Sequence, residues 1–234
     1  MNREVFFIAD DIGITSATNR AIVRGHREGA LHGASLMMGQ AAIEEAVALA
    51  RENPTLQVGW HLHLCNSRPV TCAEWPWGKS YTRAGWAIGF SARARDLMRR
   101  EVRAQWELFQ ATGLPCGFVN SHHHLHAHPM IYATLLEVLP RDFAGWLRIG
   151  APRCFDRTST KAAIGAAQSA WRRRRCPFRA SDSLWGDDRT YQMRADEVRA
   201  VIATLPPGLH EFMFHPRSVE CDLDLAALLE LKRQ

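Results

Sequence analysis

Short apolar runs that end in glycine or a polar residue alternate along the chain with longer stretches whose apolar positions recur every three to four residues. That alternation predicts strand-then-helix units around a mainly parallel sheet, an α/β fold. Residues 5–9 read as the first strand, and Ser16 is placed to cap a helix over 17–28 that Gly29 ends. Residues 34–38 predict a second strand, and 41–52 a helix stopped by Asn53-Pro54. Further strands are expected at 56–60, 117–120, 144–149 and 211–214. Helices are expected at 91–112, at 129–139 behind Pro129, and at 195–205.

Residues 67–90 break the rhythm, because Trp75, Trp77, Tyr81, Trp86 and Phe90 appear there among Gly and Pro without clean periodicity. Such an excursion reads either as an aromatic platform for a sugar ring, with Trp75 and Trp77 facing substrate, or as a flap with its own small core. No repeat or low-complexity linker appears elsewhere. With 234 residues and 47% hydrophobic content, one domain over 1–234 is expected, a length that β/α barrels commonly occupy.

Net charge is +5, and part of the excess sits in the arginines at 172–175. A local run is not a basic face, so no nucleic-acid partner is expected. The run itself admits two readings: a helix end where arginines complement the dipole, or a cluster for anionic lipid. Six cysteines with no close CxxC pair fit reduced thiols and a cytoplasmic location. The first apolar run is too short for a leader, and no apolar stretch approaches eighteen residues.

Reactive residues fall just after expected strands: Asp10 and Asp11, His61 and His63, His122, and His215. In a β/α barrel all such positions meet at one rim. Alternation along a strand would turn Asp10 and Asp11 to different sides, leaving one to bind a metal and the other to act as general base. On an extended backbone His122, His124, His126 and His128 would share one side, with His122 and His126 roughly 13 Å apart, too far to share one ion unless the chain turns. Two imidazoles and one carboxylate make the donor set of an open, catalytic site for a divalent ion, whose bound water becomes a nucleophile near neutral pH. His215, braced by Pro216, reads either as a proton donor or as a buried histidine satisfied by backbone.

The segments Ala9-Asp10-Asp11-Ile12-Gly13, Gly59-Trp60-His61-Leu62-His63-Leu64, Asn120-Ser121-His122-His123-His124-Leu125-His126 and Phe214-His215-Pro216 together resemble the YdjC-like carbohydrate deacetylases. That family includes chitooligosaccharide and hopanoid-associated deacetylases. The resemblance implies a distorted β/α barrel holding Mg2+ or Zn2+ through Asp11, His61 and His122, with Asp10 as base and His215 as acid. It also implies an N-acetylated amino sugar as substrate, in an oligosaccharide or on a lipid, with Arg148 at a position where the family often carries arginine, expected to bind substrate or orient Asp10; His124 and His126 are read from the run itself as substrate contacts. Ile12 stands where the family usually has Phe, and Asn120 where it often has Asp, which is expected to alter the surroundings of His122. Two competing readings are a metal-dependent phosphoesterase and a non-catalytic metal- or RNA-binding protein. Peripheral membrane contact and self-association are further partner calls that the sequence leaves open.

Overall fold

A computed structural model describes residues 2–155 and 160–232, apart from the side chains of 160–164. The chain runs β1 (Arg3–Ile12), α1 (Ser16–Arg27), β2 (Gly33–Leu36), α2 (Ile43–Glu52), β3 (Gln57–Leu62), α3 (Tyr81–Phe90), α4 (Ala92–Ala111) and β4 (Phe118–Ser121). It continues α5 (Pro129–Val138), β5 (Trp146–Leu147), β6 (Ala151–Arg153), α6 (Thr160–Arg173), β7 (Arg179–Ala180), β8 (Ser183–Trp185), α7 (Ala195–Thr204), β9 (Gly208–Phe214) and α8 (Leu223–Lys232). The expected elements are all present to within a few residues. The segments β6, β7, β8, α6 and α8 lie beyond them, the strands because two or three residues carry no readable period.

Every strand pairing is parallel, in the spatial order β6-β8-β9-β1-β2-β3-β4-β5-β7. The two ends of that series meet. Leu147 pairs with Ala180 and Ala151 with Ser183, so β5 and β6 are two halves of one irregular strand, and β7 and β8 two halves of its neighbour. Across the break Ser181 donates its N–H to the Leu147 carbonyl, Gly150 to Ser181 Oγ, and Ala151 to the Asp182 carbonyl. The sheet is thereby a distorted β/α barrel with the helices outside it, as the fold-class expectation has it.

Local chemistry explains the element ends. The cap of α1 is Thr15, not Ser16: Thr15 Oγ1 accepts the Thr18 N–H at 3.1 Å. Gly13 takes φ +104°, a conformation open to glycine, and its N–H is held by the buried Asn19 side chain at 2.8 Å. Ser91 caps α4, whose inner face carries Leu97, Met98, Val102, Trp106 and Phe109. His128 caps α5, accepting the Met130 N–H at 3.3 Å, which accounts for the last histidine of the run without a ligand role.

The excursion after β3 resolves into a flap over residues 65–80 and the helix α3. Buried Glu101 of α4 anchors the flap by accepting from the Val70 and Thr71 N–H groups and from the Thr71 hydroxyl. Trp75 and Trp77 stack on each other at 5.5 Å, both buried, with their indole N–H groups on the carbonyls of Ser67 and Leu64. They form the flap's own core, so the substrate-facing expectation for this pair is corrected. Three arginines of the run at 172–175 are engaged within the fold. Arg172 is buried, with Nη1 donating to the Ala127 carbonyl; Arg173 pairs with Asp182 at 2.8 Å; and Arg175 lies over the Trp171 ring at 4.3 Å.

Candidate active site

Three staves on one side of the barrel, β1, β3 and β4, deliver the donor set. Asp11 stands near the end of β1, His61 in β3, and His122 directly after β4. The register of β1 against β2 shifts between Ala9 and Ile12, and Asp11 sits in that irregularity at φ 72°. Strict alternation would have turned one aspartate away from the rim. The bulge instead aims both Asp10 and Asp11 into one cavity, a redirection typical of bulges beside active sites.

Asp11 Oδ1 lies 3.2 Å from His61 Nε2 and 3.0 Å from His122 Nδ1. One ligand atom from each of the three residues fits within a 4.8 Å cluster. His61 Nδ1 sits 2.6 Å from Asn120 Oδ1, while Asn120 Nδ2 donates to Asp10 Oδ1 at 2.9 Å. The amide orientation therefore puts the imidazole proton on Nδ1, leaving a lone pair on Nε2. Asp11 Oδ1 and His61 Nε2 are buried and have no hydrogen-bond partner. Two buried lone pairs facing each other are costly unless a cation lies between them, so the site chemistry fits a divalent ion with N and O ligands. Burial opposes ionisation of Asp11, yet the facing His122 and His61 imidazoles hold its carboxyl well below the usual carboxylate range.

Asn120 thus tunes His61 and Asp10. The expected influence of this position on His122 is corrected, since its side chain reaches the other histidine.

Asp10 is almost fully enclosed. Ser35 Oγ donates to its Oδ1 at 2.8 Å and Arg148 Nη1 to its Oδ2 at 2.5 Å. Arg148 is itself buried and bonds Glu211 through Nε at 3.0 Å. Burial pushes the Asp10 carboxyl up, but the Arg148 charge, with His61 and His215 behind it, more than reverses this and keeps it far below its ordinary value. The contacts of Arg148 thus fit the orienting reading, in which it fixes Asp10. Its placement between two carboxylates corrects the substrate-contact expectation.

After Ser121, an extended residue, the chain turns at once into a tight 3-10 segment, with His123 and His124 both at φ 53°. The chain turns rather than running extended, and each imidazole goes its own way. His122 faces Asp11; His123 stacks on Tyr81 at 5.4 Å; His124 lines the cavity with Nε2 3.3 Å from Asp187. His126 folds back beneath the turn, buried, with Nδ1 2.6 Å from Ser121 Oγ, so its expected substrate contact is not what the geometry supplies. His63 is a packed histidine, bound to the Met38 carbonyl and Ser67 Oγ, and burial pushes its pKa down to about 3.

On the far side stands His215, after β9. Asp224 Oδ2 accepts its backbone N–H at 2.6 Å, and its ring Nδ1 is buried without a partner. Burial lowers the proton affinity of the ring against the opposing pull of Asp11 and Asp10. Tyr191 closes this wall at φ 66°, with its ring 5.4 Å from His215 and under the Arg217 guanidinium at 3.7 Å. Sequence reasoning misses Ser35, Glu211, Asp187, Tyr191 and Asp224. Glu211 carried a signal, as an acid inside an apolar strand is expected to have a buried partner.

The cavity holds about 110 Å³ and is lined by Asp10, Asp11, His61, His122, Tyr191 and His215, among others. That is well under the roughly 300–1,000 Å³ of a pocket that encloses a whole ligand.

The YdjC-like protein family model matches residues 4–233. The chain belongs to that family. A carbohydrate deacetylase of Brevibacillus brevis is 41% identical over 132 residues, 56% of this chain and 53% of that protein. A carbohydrate deacetylase of Vibrio campbellii is 33% identical over 137 residues, 58% of this chain and 55% of its own. The alignments thus span about half the length of these curated relatives. Among solved structures, a candidate cellobiose-phosphate cleavage protein from Enterococcus faecalis superposes with TM-score 0.69 over 99% of this chain and 90% of that one, at 17% identity. At that identity the likeness shows the YdjC-like chain's fold alone.

Proposed function

We propose that this YdjC-like protein is a metal-dependent hydrolase that removes the acetyl group from an N-acetylated amino sugar. The observation that carries the reading is the cluster of Asp11, His61 and His122 around buried, unpartnered donor atoms, with Asp10 and His215 lining the same cavity. The carbohydrate deacetylases among its relatives supply the substrate class. A small cavity suits an acetamido group, with the sugar ring across the mouth between the His123–Tyr81 stack and Tyr191.

Asp11, His61 and His122 would hold the ion, which when bound lowers the pKa of water and polarises a carbonyl. Arg148 keeps Asp10 ionised and fixed, so Asp10 accepts the proton of the attacking water. As the C–N bond breaks, His215 delivers a proton to the departing nitrogen, giving free amine and acetate. The unshared Nδ1 of His215 is the atom that carries it. The cysteine spacing, with no close CxxC pair, supports the cytoplasmic location.

The test is acetate release from N-acetylated chitobiose and from an N-acetylglucosaminyl lipid, before and after chelation. Release that chelation abolishes and Mg2+ or Zn2+ restores is the expected result. Activity indifferent to chelation, with no ion bound per chain, would remove the metal from the mechanism.

A further inference from the structure

The largest exposed aromatic groups of the described chain cluster on one element. Along α3, Tyr81 is 57% exposed, Trp86 64% and Phe90 78%. Trp86 and Phe90 are four residues apart on one helix face and stack on each other at 5.2 Å, while Ala84 and Ile88 point inward. Scattered single apolar residues on a surface need no explanation, but a Trp–Phe pair raised together above a helix marks a contact surface.

The surroundings of this pair are cationic. Between residues 67 and 100 the chain carries seven Arg and Lys against two acids, Glu74 and Asp96, a local net charge of five. Lys79, Arg83 and Arg93 are exposed on the flanks of α3. Beside the helix, between the flap and α4, runs a groove of about 500 Å³ lined by apolar Trp77, Ala87, Ala94 and Leu97 together with Arg93 and Arg100. A surface that joins exposed Trp and Phe to basic side chains, next to an apolar groove with arginines, matches the interface of a bilayer containing anionic lipid.

We infer that α3 and its flanks dock this protein on an anionic lipid surface, with Trp86 and Phe90 inserted at headgroup level and the neighbouring arginines and Lys79 on the lipid phosphates. This places the membrane contact on α3 rather than on the arginine run at 172–175, of which Arg172, Arg173 and Arg175 are already engaged within the fold. The docked face adjoins the reaction site, because Tyr81 at the start of α3 stacks on His123 of the cavity wall. The cavity mouth would then open beside the lipid surface.

The test uses the full chain and sedimentation with phosphatidylcholine vesicles made with and without phosphatidylglycerol. Wild type is expected to bind the anionic vesicles, to release as salt rises, and to bind neutral vesicles far less. The double variant Trp86→Ser/Phe90→Ser is expected to lose at least about tenfold in vesicle affinity while its hydrolysis of a soluble substrate is unchanged. Arg83→Gln/Arg93→Gln should lose affinity for anionic vesicles specifically. Failure of wild type to sediment with anionic vesicles, or equal binding by the Trp86/Phe90 double variant, overturns the inference. So does a wild-type dimer that the double variant dissolves without any vesicle binding, which would make α3 an interface between copies of the chain. None of these readouts depends on which sugar is hydrolysed, so the docking inference and the deacetylase reading fail separately.

Discussion

At the residue scale the site depends on which proton sits where, and three substitutions separate the roles. Asp11→Asn removes an anionic ligand, so both bound metal and acetate release are expected to be lost. Asp10→Asn is expected to keep metal binding and lose about 10²–10⁴-fold in turnover, the usual contribution of a positioned base. Metal analysis beside acetate release distinguishes them; equal metal loss in both variants would merge the two roles. Asp224 supplies the pH test. Burial pushes its carboxyl up to about 6 from 3.8, outweighing the His215 and Met193 N–H groups that it accepts. Because the folded state binds this proton more tightly than the unfolded chain, the carboxyl's contribution to stability falls as pH rises from about 4 to about 6, then stays level. Asp224→Asn lacks that titration. Urea unfolding should show variant stability gaining on wild type across this window, by on the order of 2–3 kcal/mol. A constant difference between pH 4 and 7 would count against it.

The same scale shows where the sequence was legible and where it was not. Asp10, Asp11, His61, His122 and His215 announced themselves by following strands, and all five line one cavity. Trp75 and Trp77 misled because an aromatic residue reads alike whether it faces a ligand or packs under a flap. The histidine run left its turn unread for a different reason. Its turn depends on left-handed φ at His123 and His124, a conformation that costs non-glycine residues roughly 1–3 kcal/mol and that local sequence gives no reason to expect. Tyr191 was invisible for the same cause.

At the scale of elements, helices with clear period and caps were readable to within a few residues, while the split strands β6 to β8 were too short to be seen. The flap is an element pinned by a few side chains, Gln40 at Arg68 and Glu101 at residues 70 and 71. Glu101 is buried and satisfies the Val70 and Thr71 N–H groups along with Gln105 Nε2. Glu101→Ala leaves those donors unpaired, and a loss of about 3 kcal/mol is expected from hydrogen bonds to a charged acceptor. The loosening should be local. Protease should cut within 66–80 first, and cleavage elsewhere at the same rate would show that the flap is not a separate unit.

For the whole molecule, the seam between the split strands is the point on which closure rests. A Cβ at Gly150 would lie 2.7 Å from the Ser183 backbone, so Gly150→Val is expected to force the two halves apart. Arg148 is two residues away, and with it the brace on Asp10. Thermal unfolding should drop by several degrees, with catalysis falling further than stability alone explains. An unchanged melting temperature would mean the seam tolerates the extra volume.

Closure also ties together residues at opposite ends of the chain. The three candidate ligands lie between residues 11 and 122, yet β1 aligns with β9 from Arg3↔Gly208 to Ala9↔Phe214, and Arg148 and Glu211 complete the enclosure of Asp10. A ribosome that has made just over half of the chain has already supplied every ligand, but not β9, the stave that pairs along β1 from Arg3 to Ala9. The reaction centre is therefore a late event in the life of the nascent chain. A fragment ending before residue 208 should carry all three candidate ligands in its sequence and capture no ion in solution.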